Sequence, residues 1–279
     1  MDKREEFSLS PWEKARSRVN GLLLAARRGL AFSRDGYSES TTPAALSRWK
    51  LTLDPMSQAE VVRLSASYGA GAWTSFLRID AFRKNIETLW ILEAMFLGDE
   101  SIEQKLGEVT AVVDAGAQDF ARLPALAKFL RESSPGLQLT GIELDAFPPL
   151  ALGYSRFDIA QHYCRQVEGA SYAAENFFEW KGGADFAAVF YPFVSPHPAL
   201  AWGLPRKFGD AGAWVDSLAR VVVPGGLVLV VHQGGWEERE FDTARAKLGD
   251  PFVLLRREAL ESSLLLSPHP AHASVYVRR

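Results

Sequence analysis

Apolar positions follow two rhythms along the chain, and the change comes near residue 108. Before it they recur at helical spacing. In "WTSFLRIDAFRKNIETLWILEAMFL", Phe76, Ile79, Phe82, Ile86, Leu89 and Trp90 share a face, with Arg83, Lys84 and Glu87 falling between them. "PWEKARSRVNGLLLAARRGLAF" predicts a weaker helix that opens at Pro11, a residue suited to a first turn. The Ser-, Thr-, Gly- and Pro-rich stretch between the two predicts a loop around one short helix. From Val109 onward, short apolar runs such as "VTAVVDAG", "LQLTGIELD" and "ADFAAVFYPF" alternate with helical ones such as "ALAKFLRE" and "FDIAQHYCRQV". Strands that are apolar throughout, alternating with helices, predict a parallel sheet covered on both faces. "PFVLLRREALESSLLLS" and "HASVYVRR" lie close enough in sequence to close it as an antiparallel hairpin. The expected architecture is a helical region over 1–108, followed over 109–279 by a doubly wound α/β domain with a mostly parallel sheet.

Composition narrows the function classes. Hydrophobic residues make up 47%, enough for a large core, and a net charge of −3 argues against a mainly nucleic-acid-binding protein. The local basic cluster Arg16, Arg18, Arg27, Arg28 and Arg34 reads as a solvated helix face. Cys164 is the single cysteine, so no disulfide forms within the chain; it lies in a helical stretch and reads as an inert thiol. No apolar run approaches the length of a membrane span, so a soluble, cytoplasmic protein without a membrane partner is expected. His162, His269 and His272 have no metal-ligand spacing with cysteine or acid partners, and no metal site is expected.

In a doubly wound sheet, ligands bind beyond the carboxyl ends of the strands. The first strand ends at Asp114, followed by Ala115 and Gly116: a carboxylate able to accept from an ammonium group, then a residue that permits close backbone approach. The second ends in Glu143, with Asp145 two residues on, and a carboxylate there suits a ribose diol. The third runs into "AAENFF", where Glu175 or Asn176 is the candidate for an adenine contact. After the fourth comes "FYPFVSPHPALAWGLPRKF", whose prolines are expected to restrict it without making it helical. Trp202, Trp214 and Trp236 are expected in a core or lid, and Arg206 and Lys207 as solvated loop charges. Before the fifth strand, Pro224 and Gly225 suit a type II turn.

"VVDAGA", "GIELD", "AENFFE", "ADFAAVFYPF" and "ARVVVPGGLVLVV", in that order, resemble the successive motifs of class I S-adenosylmethionine-dependent methyltransferases. The resemblance implies seven strands and S-adenosyl-L-methionine as cofactor. It implies Asp114, Ala115 and Gly116 near the methionine part, Glu143 on the ribose, and Glu175 or Asn176 near the adenine. The acceptor, a small molecule or another group, is not identified by any motif. His197 and His232 are candidate general bases by location alone. One departure stands out: the family's second loop glycine is Gln118 here. Another is Pro124, which sets the next helix to begin near Leu123 and lengthens the loop. Two rival readings are a non-catalytic binding or scaffold protein on the same fold and a nicotinamide oxidoreductase. The missing G-x-G-x-x-G loop counts against the second.

Overall fold

The computed structural model describes residues 9–134, 136–150 and 153–279, so residues 1–8 of the expected helical region lie outside the described residues. Among the described residues five α-helices precede the first strand: α1 (Pro11–Leu30), α2 (Pro43–Lys50), α3 (Pro55–Tyr68), α4 (Ile79–Phe96) and α5 (Glu100–Gly107). The first three start alike. Ser10, Thr42 and Asp54 each cap the helix with a side-chain oxygen, and a proline follows at once. The cap satisfies a backbone donor that the helix leaves unpaired, and proline lacks the N–H that would have no partner there. Next come β1 (Ala111–Ala115), α6 (Leu123–Arg131), β2 (Gln138–Ile142), α7 (Arg156–Cys164) and β3 (Ala170–Ala173). The chain closes with β4 (Ala184–Phe190), α8 (Pro196–Ala201), α9 (Ala211–Val221), β5 (Val222–His232), α10 (Gly235–Lys247), β6 (Phe252–Leu260) and β7 (Ala271–Arg278).

The sheet has seven strands in the order β3-β2-β1-β4-β5-β7-β6. Neighbours from β3 to β5 pair in parallel, and β7 runs antiparallel between β5 and β6. Alternation along each strand builds two cores. Val112, Phe186, Leu227 and Leu229 face α4 and α6; Val113, Ala187, Val228 and Val230 face α9 and α10. Helices before β1 share the first core: the Phe96 ring meets Phe186 edge-on, with centroids 5.5 Å apart. The change of rhythm near residue 108 thus separates kinds of secondary structure without separating cores.

Three local expectations need correction. The proline-rich segment after β4 does contain a helix, α8, because Pro196 and Pro198 fall in its first turn, where their missing N–H groups cost nothing. Pro224 and Gly225 lie inside β5 instead of in a turn before it. Gly225 has φ of 82°, and the pairing jumps from Ala184–Val222 to Phe186–Leu227, so the positive φ serves an irregularity in the strand. Glu87, expected on the polar side of its helix, is completely buried. Burial holds the Cys164 thiol up at about 12, which makes it a poor nucleophile.

Candidate functional site

The order of strands reverses between β1 and β4, and a cavity opens beyond their carboxyl ends. It holds roughly 750 Å3 of empty space, including its open mouth. Strand-end residues Ala115, Gly116, Gln118, Glu143, Asp145 and Asn176 line it, together with aromatic residues from the segments after β3 and β4.

The loop from β1 to α6 shapes one side. Gly116, Gln118 and Phe120 all take positive φ, at 77°, 55° and 57°. Gln118 therefore keeps the left-handed backbone that a glycine would adopt freely, and its side chain does not abolish the turn. Two contacts over-determine it. The Gln118 N–H donates to Glu143 Oε2 at 2.9 Å, and its carbonyl accepts from the Tyr172 hydroxyl at 2.5 Å. Phe120 is completely buried above Gly141 of β2, where any β-carbon would come within 2.9 Å of the ring. The helix then begins at Leu123, with Pro124 in its first turn as the sequence predicts.

Glu143 directly follows β2 with both oxygens engaged, because Oε1 accepts from the Asp145 N–H at 2.8 Å in addition to the Gln118 contact on Oε2. Burial raises its pKa, opposed by Arg156 and by the two N–H groups. Asp145 is held by Arg27 of α1 in a two-pronged pair, both contacts 2.9 Å. Asn176 accepts from the Phe178 N–H through Oδ1 at 3.1 Å, which leaves its Nδ2 as a donor at the cavity. Trp214 also lines the cavity, and its buried indole N–H has no hydrogen-bond partner among the described residues.

Asp114 lies on the other face of β1 from Val113 and Ala115 and lines a smaller recess toward α4. The recess shares Gly116, Gln118, Phe190 and Tyr191 with the main cavity. Asp114 accepts no hydrogen bond among the described residues, and burial raises its pKa to about 7; Arg122 and Lys84 oppose the shift while Glu143 adds to it. Lys84 is held below the usual ammonium range by burial, in spite of Asp119 at 3.5 Å. Behind the recess, Glu87 of α4 pairs with Arg122 at 2.9 Å and accepts from the Tyr191 hydroxyl at 3.1 Å and the Leu266 N–H at 2.9 Å. The Arg122 guanidinium also stands 4.5 Å over the Phe190 ring.

Of the residues singled out by sequence, Ala115, Gly116, Glu143 and Asn176 come together at the main cavity, with Asp114 in the adjoining recess. Glu175 is exposed and does not line it. Neither candidate base reaches it. His197 sits on α8 with Nδ1 2.9 Å from Glu13 of α1. His232 is buried against Phe241, and burial lowers its pKa to about 3. Trp202 and Trp214 line the cavity, whereas Trp236 is exposed on α10. Arg206 and Lys207 are exposed. Sequence reasoning missed Arg156, Lys84, Arg122 and Glu87. The available signal for Glu87 was an acid inside the apolar run "IETLWIL". Among the described residues no cluster of His, Cys, Asp or Glu is placed to hold a metal ion, and no helix is long and apolar enough to cross a membrane.

No family model matches the sequence, and no curated protein does. Solved structures do. A putative class I S-adenosylmethionine-dependent methyltransferase from Listeria monocytogenes superposes with a TM-score of 0.50 at 11% identity, over 71% of this chain and 59% of that one. Geranyl diphosphate methyltransferase in complex with GPP and sinefungin gives 0.47 at 14% identity, over 97% and 100%. TrmN from Thermus thermophilus gives 0.44 at 12%, over 61% of this chain and 44% of its own. Strand order, the antiparallel end and the Listeria superposition together define the class: this chain has the class I S-adenosylmethionine-dependent methyltransferase fold.

Proposed function

We infer that the protein binds S-adenosyl-L-methionine in the cavity and transfers its methyl group to a small acceptor. The single observation that carries this reading is the loop at the switch point. Its left-handed backbone at Gly116 and Gln118 is retained and is tied to the strand-end carboxylate Glu143. The residues fit the cofactor. Asp114 is a buried carboxylate with no hydrogen-bond partner among the described residues, suited to an ammonium group. Glu143 has lone pairs left for a ribose diol even with both oxygens engaged. Asn176 keeps Nδ2 free, which favours a purine ring nitrogen over an exocyclic amine. Gly116 allows close approach of the methionine part.

The cofactor supplies a methyl group already activated on a sulfonium, so alignment of the acceptor accounts for much of the rate. Tyr191, Pro192, Phe193 and Trp202 give the acceptor an apolar, largely aromatic enclosure, with Arg156 held 5.8 Å over the Trp202 ring. No histidine lines the cavity, which favours an acceptor that attacks without a histidine base. The scaffold reading draws on the internal use of both Glu143 oxygens; against it stands a cavity at the strand ends that Gly116, Glu143 and Asn176 line together. Calorimetric titration with S-adenosylmethionine and its demethylated product is the test. Saturable binding supports transfer, and folded protein that binds neither at millimolar concentration excludes it.

A further inference from the structure

The outer face of α1 is built the wrong way round for a solvated helix. Only Asn20 and Leu24 of its 20 residues are buried. Asn20 donates to the Leu200 and Leu204 carbonyls, and Leu24 packs with Leu204 and Phe208 at the cavity. The opposite face carries Trp12, Ala15, Val19, Leu22, Ala26 and Leu30, spaced by three and four residues, with Leu23 beside them. Trp12, Leu22 and Leu30 are 76%, 73% and 78% exposed. That spacing gives one continuous apolar stripe, about 30 Å long, presented to the outside.

Charge decides what the stripe fits. At 100° per residue, Arg16 and Arg18 fall on opposite edges of it, and both are exposed, as are Lys14 and Arg28. The only acid in α1, Glu13, is turned away to Ser10 and His197. Two such helices packed together would bring their flanking arginines side by side with no acid of α1 on the edges of the stripe to answer them, which opposes pairing of two copies through this helix. A sheet of anionic headgroups answers each arginine while the acyl boundary takes up the stripe.

We propose that α1 is a docking helix that lies in the surface of an anionic lipid bilayer, its Trp12–Leu30 stripe inserted and Arg16 and Arg18 on headgroups. Asn20, Leu24 and Arg27 hold the helix to the body, so docking brings the adjoining cavity to the membrane surface. The inference does not depend on any cofactor. It is tested by sedimentation of the protein with vesicles of phosphatidylcholine alone or mixed with phosphatidylglycerol, and circular dichroism checks that each variant folds. Binding to the mixed vesicles and not to phosphatidylcholine alone is expected. A triple variant Trp12→Ser, Leu22→Ser, Leu23→Ser and a double variant Arg16→Gln, Arg18→Gln are each expected to weaken that binding about tenfold or more. No binding of folded wild type to mixed vesicles overturns the proposal, and so does undiminished binding of the folded triple variant. Self-association of wild type that the triple variant abolishes assigns the stripe to a second copy instead.

Discussion

Helices α1 and α4 belong to the same stretch before the first strand and are nearly the same length, yet they are attached in opposite ways. α4 buries eleven of its 18 residues, including Asn85, Glu87 and Thr88, and lies on the sheet face against α6. α1 buries two of its 20 and reaches the body through a few polar contacts and one leucine. Each nevertheless borders the candidate site. α4 sets the charge behind Asp114 through Lys84 and Glu87, and α1 holds Asp145 through Arg27. One side of the cavity is therefore part of the folding core, and the other is carried by a helix that adds little to that core.

Substitution of Glu87 strains this contrast most. Glu87→Ala leaves Arg122 buried without its partner and strips an acceptor from Tyr191 and the Leu266 N–H. We expect a loss of about 3–5 kcal/mol in urea unfolding. A loss under about 1 kcal/mol would mean that α4 is not held through this network.

Asp114 gives a pH test of the same side. Burial holds its pKa near 7 in the folded protein, above the unfolded value of about 3.9. The folded state then binds more protons between those values, so this group's contribution to stability falls as pH rises from about 4 to about 7. Asp114→Asn is expected to flatten that segment of the stability–pH curve and to stabilise the ligand-free protein at pH 8. Unfolding midpoints measured across the range check it, and a variant that keeps the slope would break the account.

On the α1 side the expected effects are smaller. Leu24→Ala, which empties a small buried contact with Leu204 and Phe208, should cost about 2 kcal/mol of unfolding free energy, the low end for a buried leucine, while amide exchange across α1 accelerates. Full loss of global stability on this substitution would erase the distinction between the two helices.

Much of this was legible in the sequence, because apolar period reports which face of an element is buried. Strand–helix alternation revealed the sheet, and Pro124 located the start of α6. The strand-end rule brought Glu143 and Asn176 to the cavity. It failed for His232, since a residue at a strand end still points to one face or the other, and here that face is the core beside Phe241. His197 failed for a related reason: it follows the right strand, but α8 turns it toward Glu13. Gln118 is a departure in the sequence, which cannot show that its φ is 55° and is held by Glu143 and Tyr172. Period also assigned Glu87 to a polar face, and only its partners from three separate segments explain its burial.

The central claim is that the cavity at the β1–β4 switch holds S-adenosylmethionine on the retained loop. Amide exchange with and without the demethylated product tests it most directly. The account predicts new protection over 115–122, 143–145 and 176–178, with β6 and β7 unchanged. Protection confined to other segments, or none at saturating ligand, would contradict it.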